Sequence, residues 1–156
     1  DLSDVLLGIL ACSPSQATYM GWSLGGQLAI ELATRYPSRV AAVVTVCSNP
    51  RFVAAQDWPG MAAPAFADFS AAVSTNPDAA LRRFDSLQVN GSEQPRQLLR
   101  QLQQLDREPA SRQLLAGLSW LEELDQRAYL TALYRPQLHL LDEHDGLVPA
   151  ALWPLR

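Results

Sequence analysis

The stretch Tyr19-Met20-Gly21-Trp22-Ser23-Leu24-Gly25-Gly26 constrains this chain more than any other. It holds a G-x-S-x-G pattern with one further glycine. A short apolar segment at 17–20 precedes it. A helical pattern, Leu24, Leu28, Leu32, Ala33 and Tyr36, follows it and stops at Pro37. Strand, sharp turn and helix together are the setting of a nucleophile elbow. A serine on so tight a turn is expected in a strained backbone conformation, at positive φ. Side chains at positions 21 and 25 are expected to collide there, which calls for glycine at both. Such a turn lifts the Ser23 hydroxyl above the strand end. It also aims the first N–H groups of the new helix at whatever the serine attacks. A phosphate-binding turn is the competing reading, but G-x-G-x-x-G spacing and a Walker lysine are both absent.

The elements around the elbow alternate. Residues 2–12 read as a helix with Val5, Leu6, Ile9 and Leu10 on its apolar side, and residues 40–47 form an unbroken valine-rich run. Such a run is expected to be a parallel strand buried on both faces. Helix, strand, helix, strand places the chain in the α/β class. The texture then changes. Asp57-Trp58-Pro59-Gly60 is a turn signal, and helices are expected from there to about residue 123. One spans 65–73. Asn76 caps the next, with Pro77 in its first turn and Leu81, Phe84 and Leu87 on one side. Asn90-Gly91 ends it, and Ser92 is expected to cap an amphipathic helix at 93–107. There Leu98, Leu99, Leu102 and Leu105 oppose Arg96, Arg100, Gln103 and Arg107. A further helix covers 110–124. A strand returns at 137–141, after Tyr134-Arg135-Pro136. The expected organisation is a core at 1–60, a helical lid at 61–124 and a second core part at 125–156.

Composition narrows the function. Of the 156 residues, 48% are hydrophobic, enough for a packed core. No apolar run approaches the ~20 residues of a membrane span, and the start has no signal-peptide pattern. The net charge of −4 argues against nucleic acid as a general partner. Cys12 and Cys47 lack metal-ligand spacing and read as reduced core residues of a cytoplasmic protein. The chain begins at Asp1 within a helical pattern and ends abruptly at Arg156, so an internal piece of a longer protein is expected.

The strand at 137–141 runs into Asp142-Glu143-His144-Asp145-Gly146-Leu147-Val148-Pro149. A nucleophile elbow followed by an acid in the loop after a later core strand is the order Ser, Asp, His of an α/β-hydrolase triad. Asp145 fits best, and Asp142 and Glu143 stay open as rivals. Neither histidine suits the base. His139 lies inside the strand, and His144 is the immediate neighbour of Asp145, with a diverging side chain. The base and the second oxyanion donor are expected outside this chain; the Leu24 N–H is the first donor.

The chain resembles the pimeloyl-[acyl-carrier protein] methyl ester esterases of biotin synthesis. The residues that carry this are Gly21-Trp22-Ser23-Leu24-Gly25-Gly26, Arg39-Val40, Val44-Thr45-Val46, Ser48 with Pro50 and Phe52, and Trp58-Pro59-Gly60. Arg83-Phe84, Leu87-Gln88, Gly91, Arg96, Arg100 and Asp145-Gly146-Leu147-Val148-Pro149 carry the rest. The match weakens between about 101 and 135. The resemblance implies a cofactor-free serine esterase, with Ser23 as nucleophile and Asp145 as the orienting acid. Leu24, Phe84, Asp85, Ser86, Leu87 and Gln88 would bind the acyl chain beside Ser23; on pattern alone Phe84 reads as core. Arg82, Arg83, Arg96, Arg100 and Arg107 would dock an acidic acyl carrier protein, with an ordinary solvated helix face as the competing reading, and the enzyme is expected to be a monomer. Another lidded hydrolase (a general carboxylesterase or a carbon–carbon bond hydrolase) and a non-catalytic, partner-binding fragment are the competing classes.

Overall fold

The computed structural model describes residues 1–104 and 111–152. Three parallel strands form the sheet: β1 (Ala17–Trp22), β2 (Val40–Val46) and β3 (Gln137–Leu140), in the order β1-β2-β3. Their register aligns Met20 with Val44 and Leu138, and Trp22 with Val46 and Leu140. Helix α1 (Leu2–Ala11) precedes β1, and α2 (Leu24–Arg35) makes the crossover from β1 to β2. Asp1 caps α1 through a reciprocal pair with Asp4. Its inward residues are Leu2, Leu6, Ile9 and Leu10, the i, i+4, i+7, i+8 stripe, and Val5 is exposed. Cys12 ends the helix and is also exposed, so it is not the core residue expected of it.

The core lies on one side of the sheet. Leu6, Leu10, Ala29, Ile30, Leu32 and Ala33 close over Val40 and Val43, with Tyr19 packed against them. Among the described residues nothing covers the other side: Met20 is 73% exposed, and Trp22, Leu138 and Leu140 are exposed beside it. Burial of β2 on both faces is therefore not what the fold shows. Val43 and Thr45 are buried, and Ala42, Val44 and Val46 are half-buried, because α2 packs against the opposite side.

Between β2 and β3 the chain leaves the sheet for a helical insert. Its helices are α3 (Ala63–Thr75), α4 (Pro77–Gln88), α5 (Pro95–Gln103) and α6 (Ser111–Glu123). The insert has its own core of Phe66, Val73, Ala80 and Leu118, into which Phe52 of the incoming loop inserts. Phe52 meets Phe66 edge-on at 6.0 Å. Asn76 caps α4 as expected, its Oδ1 accepting from the Ala79 N–H at 3.1 Å. Ser92 does not cap α5. Its hydroxyl donates to the Val89 carbonyl at 2.7 Å and closes the Asn90-Gly91 turn instead. The helix starts at Pro95, whose fixed φ suits the first turn, with Gln94 before it. The short helix α7 (Arg127–Ala132) has no counterpart in the sequence reading. It is six residues long, too short to display a period, yet Leu130 and Leu133 pack against the core.

One side chain ties three of these elements together. Arg39, just before β2, donates to the carbonyls of Ser15, Leu10 and Pro14 at 2.8, 3.0 and 3.1 Å. It satisfies the C-terminal end of α1 and fixes the loop entering β1. Arg39→Met should destabilise the fold by about 1–2 kcal/mol, read as a lowered urea midpoint with unchanged slope. An unchanged midpoint would show that these carbonyls are equally well served by water.

Candidate active site

Ser23 occupies the turn between β1 and α2 with φ 53° and ψ −121°, a conformation that costs a non-glycine residue of order 1–3 kcal/mol. Two bonds hold it there. The Ser23 N–H donates to the Val46 carbonyl at 2.9 Å, and the Ser23 carbonyl accepts from the Gly26 N–H at 2.9 Å. The glycines behave differently from the sequence expectation. A Cβ on Gly21 would lie 2.0 Å from the Gly25 carbonyl oxygen, so position 21 is closed to any side chain. A Cβ on Gly25 would meet nothing within 4 Å. It is Gly26 that is confined, with a would-be Cβ 2.6 Å from Ser48. Gly25 contributes its backbone to the contact, and Gly26 provides the close approach of α2 to the end of β2.

The acid loop follows β3. The Asp145 Oδ1 accepts from the N–H groups of Leu147 and Val148 at 2.8 and 3.0 Å, which fixes the carboxylate within its own turn. Its Oδ2 takes no part in those two bonds. Asp142 is used differently: its Oδ1 accepts from the His144 N–H at 2.8 Å, and it is exposed. Glu143 is exposed at the loop tip. Cys47 completes the constellation at the end of β2. It also has a positive φ, 45°, and its N–H donates to the Leu140 carbonyl at 2.8 Å. Burial, then the neighbouring Asp145 carboxylate, push the Cys47 thiol above its ordinary value.

These residues share one cavity of about 1080 Å³. Ser23, Cys47, Asp142, His144 and Asp145 line it from the strand ends, and Gln88, Asn90, Ser92 and Glu93 add polar groups from the insert. Leu81, Phe84, Leu98, Leu102 and Leu114, from all of α4–α6, form its apolar side. Of the residues expected along the acyl chain, Phe84 and Gln88 line this cavity with Ser23. Asp85, Ser86 and Leu87 are not among its lining residues: Asp85 is buried, Ser86 donates to the Arg82 carbonyl, and Leu87 is exposed. Leu24 is not a lining residue either, and its side chain lies against Gly117 of α6. Its N–H opens α2, where the first amides have no partner inside the helix.

A family model described as alpha/beta hydrolase fold matches residues 2–155. The chain belongs to the α/β-hydrolase family. Among curated relatives, the pimeloyl-[acyl-carrier protein] methyl ester esterase of Shewanella woodyi is 37% identical over 160 residues, covering 99% of this chain and 62% of that protein. The enzyme of the same name from Klebsiella pneumoniae is 40% identical over 150 residues, covering 94% of this chain and 58% of that protein. The biotin biosynthesis bifunctional protein of Cellvibrio japonicus is 40% identical over 151 residues, which is 30% of its length. The chain thus spans about 60% of the single-function relatives it matches. Among solved structures, an esterase from Exiguobacterium antarcticum superposes with a TM-score of 0.84 at 19% identity, covering 99% of this chain and 58% of that one. This likeness speaks for the fold alone.

Within this α/β hydrolase neither histidine faces Asp145 as a triad base would. The His139 Nδ1 sits 2.7 Å from the Thr45 hydroxyl and its Nε2 3.2 Å from the Gln137 amide oxygen, and burial lowers its pKa. The His144 Nδ1 lies 3.7 Å from Asp142 and 3.8 Å from Glu143. Arg82, Arg83, Arg96 and Arg100 are exposed, and no ion pair among the described residues involves them. Arg107 lies outside the described residues. Sequence reading missed Cys47 and Trp22 as cavity walls. Their positions flanking the elbow and ending β2 were the available signal.

Gly25→Ala should raise stability by about 0.5–1 kcal/mol, because it removes backbone freedom in an open helical position. Gly21→Ala should cost about 3 kcal/mol or more through overpacking; the comparison is a pair of denaturation curves, and equal curves would refute the assigned contact. At neutral pH, iodoacetamide should label exposed Cys12 well before half-buried Cys47, whose thiol burial and Asp145 keep protonated to higher pH than usual. Cys47 labelling should rise as pH increases, and mass spectrometry of the two peptides decides it.

Proposed function

We propose that this chain carries the nucleophile, the orienting acid and the lid of a serine carboxylesterase acting on the methyl ester of a pimeloyl group held on acyl carrier protein. The observation that carries the reading is Ser23 on its strained turn, sharing a largely apolar cavity with Asp145. The printed names of the relatives supply the substrate class. In this reading the Ser23 Oγ attacks the ester carbonyl while a histidine, supplied from beyond these residues, takes its proton. Asp145 offers Oδ2 to that histidine, Oδ1 being held by its own turn. The Leu24 N–H faces the oxyanion. Methanol leaves with the transferred proton, and water then releases the carboxylate from the acyl-serine. The insert α3–α6 is the lid, with Leu81, Phe84, Leu98 and Leu102 accepting the methylene chain.

The carrier protein would meet the lid from outside. Four exposed arginines project from α4 and α5 of an otherwise acidic chain. An acidic partner is steered to such a strip, and each exposed pair adds little energy, so rate and salt dependence should carry the effect.

In the complete gene product, Ser23→Ala should lower ester hydrolysis by about 10³-fold or more without unfolding the protein. Retention of activity within about tenfold would remove Ser23 from the nucleophile role. Reversing Arg96 and Arg100 to Glu should slow hydrolysis of the carrier-linked ester several-fold at low salt and leave a small free ester nearly unchanged. Equal loss on both substrates would mean damage to the lid rather than to docking.

A further inference from the structure

The two places where the chain crosses between sheet and insert are joined by a buried polar ring. The first crossing follows β2 and contains Asn49 and Pro50, and the second follows α6 and contains Asp125 and Gln126. Gln27 sits on α2, one helical turn beyond Ser23. Its Nε2 donates to the Asn49 carbonyl at 2.8 Å. The Gln126 N–H donates to the Pro50 carbonyl at 2.9 Å. The Gln126 Nε2 closes the ring by donating to the Gln27 carbonyl at 2.9 Å, and also to the Glu31 Oε1 at 2.8 Å. Gln126 is 0% exposed and Gln27 1%.

The ring is extended outward on both crossings. The Asn49 Oδ1 accepts from the Trp58 indole at 2.8 Å and the Arg51 N–H at 3.1 Å, and its Nδ2 donates to the Pro59 carbonyl at 3.0 Å. Arg51 reaches Asp125 at 2.7 Å, and Arg127 grips Asp125 with two bonds of 2.8 Å and Asp57 with two of 3.1 Å. Arg127, then Arg51, hold the Asp125 carboxyl far below the usual carboxylate range. The Arg127 guanidinium also lies 5.5 Å from the Trp58 ring centre.

A buried amide pair is a costly way to fill space, since each lost partner leaves a desolvated carbonyl or carboxylate. Its geometry here does something packing would not do. It fixes both ends of the insert to the helix that carries Ser23, at one height and one angle. We infer that Gln27 and Gln126 are positioning residues: they set the distance between the lid wall of the cavity and the nucleophile, and thereby the fit of long acyl chains. This rests on the esterase reading above.

The test uses the complete gene product with Gln126→Met, which keeps the side chain's length and removes its donors. The substrates are p-nitrophenyl acetate, which needs only the elbow, and p-nitrophenyl octanoate, which needs the lid wall. KM for the octanoate should rise at least about fivefold, and kcat for the acetate should stay within about twofold. Hydrogen exchange should quicken at least about tenfold in α3–α6 and stay unchanged in α2. Equal losses on both esters with faster exchange in α2 would overturn the positioning role in favour of general core support. No change in either readout would overturn it outright. If Gln126→Met does not fold, Arg51→Met, at the half-exposed rim of the same brace, must show the same split at smaller amplitude or the proposal fails. Should the unaltered protein hydrolyse neither ester, the esterase reading falls, and the exchange pattern alone judges the brace.

Discussion

The bond from the Ser23 N–H to the Val46 carbonyl is the point on which the rest of the arrangement turns. It pins the backbone of Ser23, the proposed nucleophile, to the end of the neighbouring strand. The strained φ of Ser23 is tolerated because this bond, the Gly26 bond and the contact of Gly21 with the Gly25 carbonyl together leave no alternative path for the chain. Once β1 and β2 are fixed at that end, Cys47 must turn away sharply at its own positive φ. The chain then departs for the helical insert. When it returns, β3 pairs with β2 in a register that delivers the Asp145 loop beside Cys47.

Charge and polarity divide the work around that point. Ser23, Cys47 and the acids after β3 reach the cavity from three strand ends, Gln88, Asn90, Ser92 and Glu93 reach it from the insert, and most of its apolar wall comes from the insert's helices. That wall meets the elbow through Leu24 against Gly117 and the loop after β3 through Gly91 against His144, and the two crossings fasten it further. The ring of Gln27, Asn49, Pro50 and Gln126 does the fastening with neutral groups, and the Arg51–Asp125–Arg127–Asp57 chain reinforces it where water reaches. Where the ring meets a buried charge, the Glu31 carboxylate, Arg35 pairs with that carboxylate at 2.7 Å, so the charge is not left desolvated alone.

Much of this was legible in the sequence, and the exceptions have physical causes. The elbow is readable because sterics restrict its residue types so tightly. The detail that Gly26 rather than Gly25 is confined depends on Ser48, which lies on another strand end and sends no signal through local pattern. The start of α5 was misplaced because Ser92 is a good cap by type, and only the tertiary turn shows its hydroxyl engaged with Val89. Helix α7 is too short for periodicity to reveal. The brace is invisible in one dimension, since Gln27 and Gln126 are 99 positions apart and glutamine is an ordinary helix residue. His139 and His144 illustrate the reverse case: neighbour geometry along a strand and a loop already argued against either as the base.

The separation of β2 from β3 has a consequence for how the molecule assembles. Thr45 and His139 meet across 94 positions of sequence. Closing so long a loop is entropically expensive before any contact rewards it, and such pairings form late. The insert, by contrast, has a local aromatic core in which Phe69 stacks on Phe84 at 5.4 Å. A helical unit that condenses first shortens the effective span between the two strands, because its ends are already brought together at the crossings. The segment that shapes the cavity would then also serve as the template that lets the loop after β3 find its strand, so that cavity shape and folding rate are tied to the same helices.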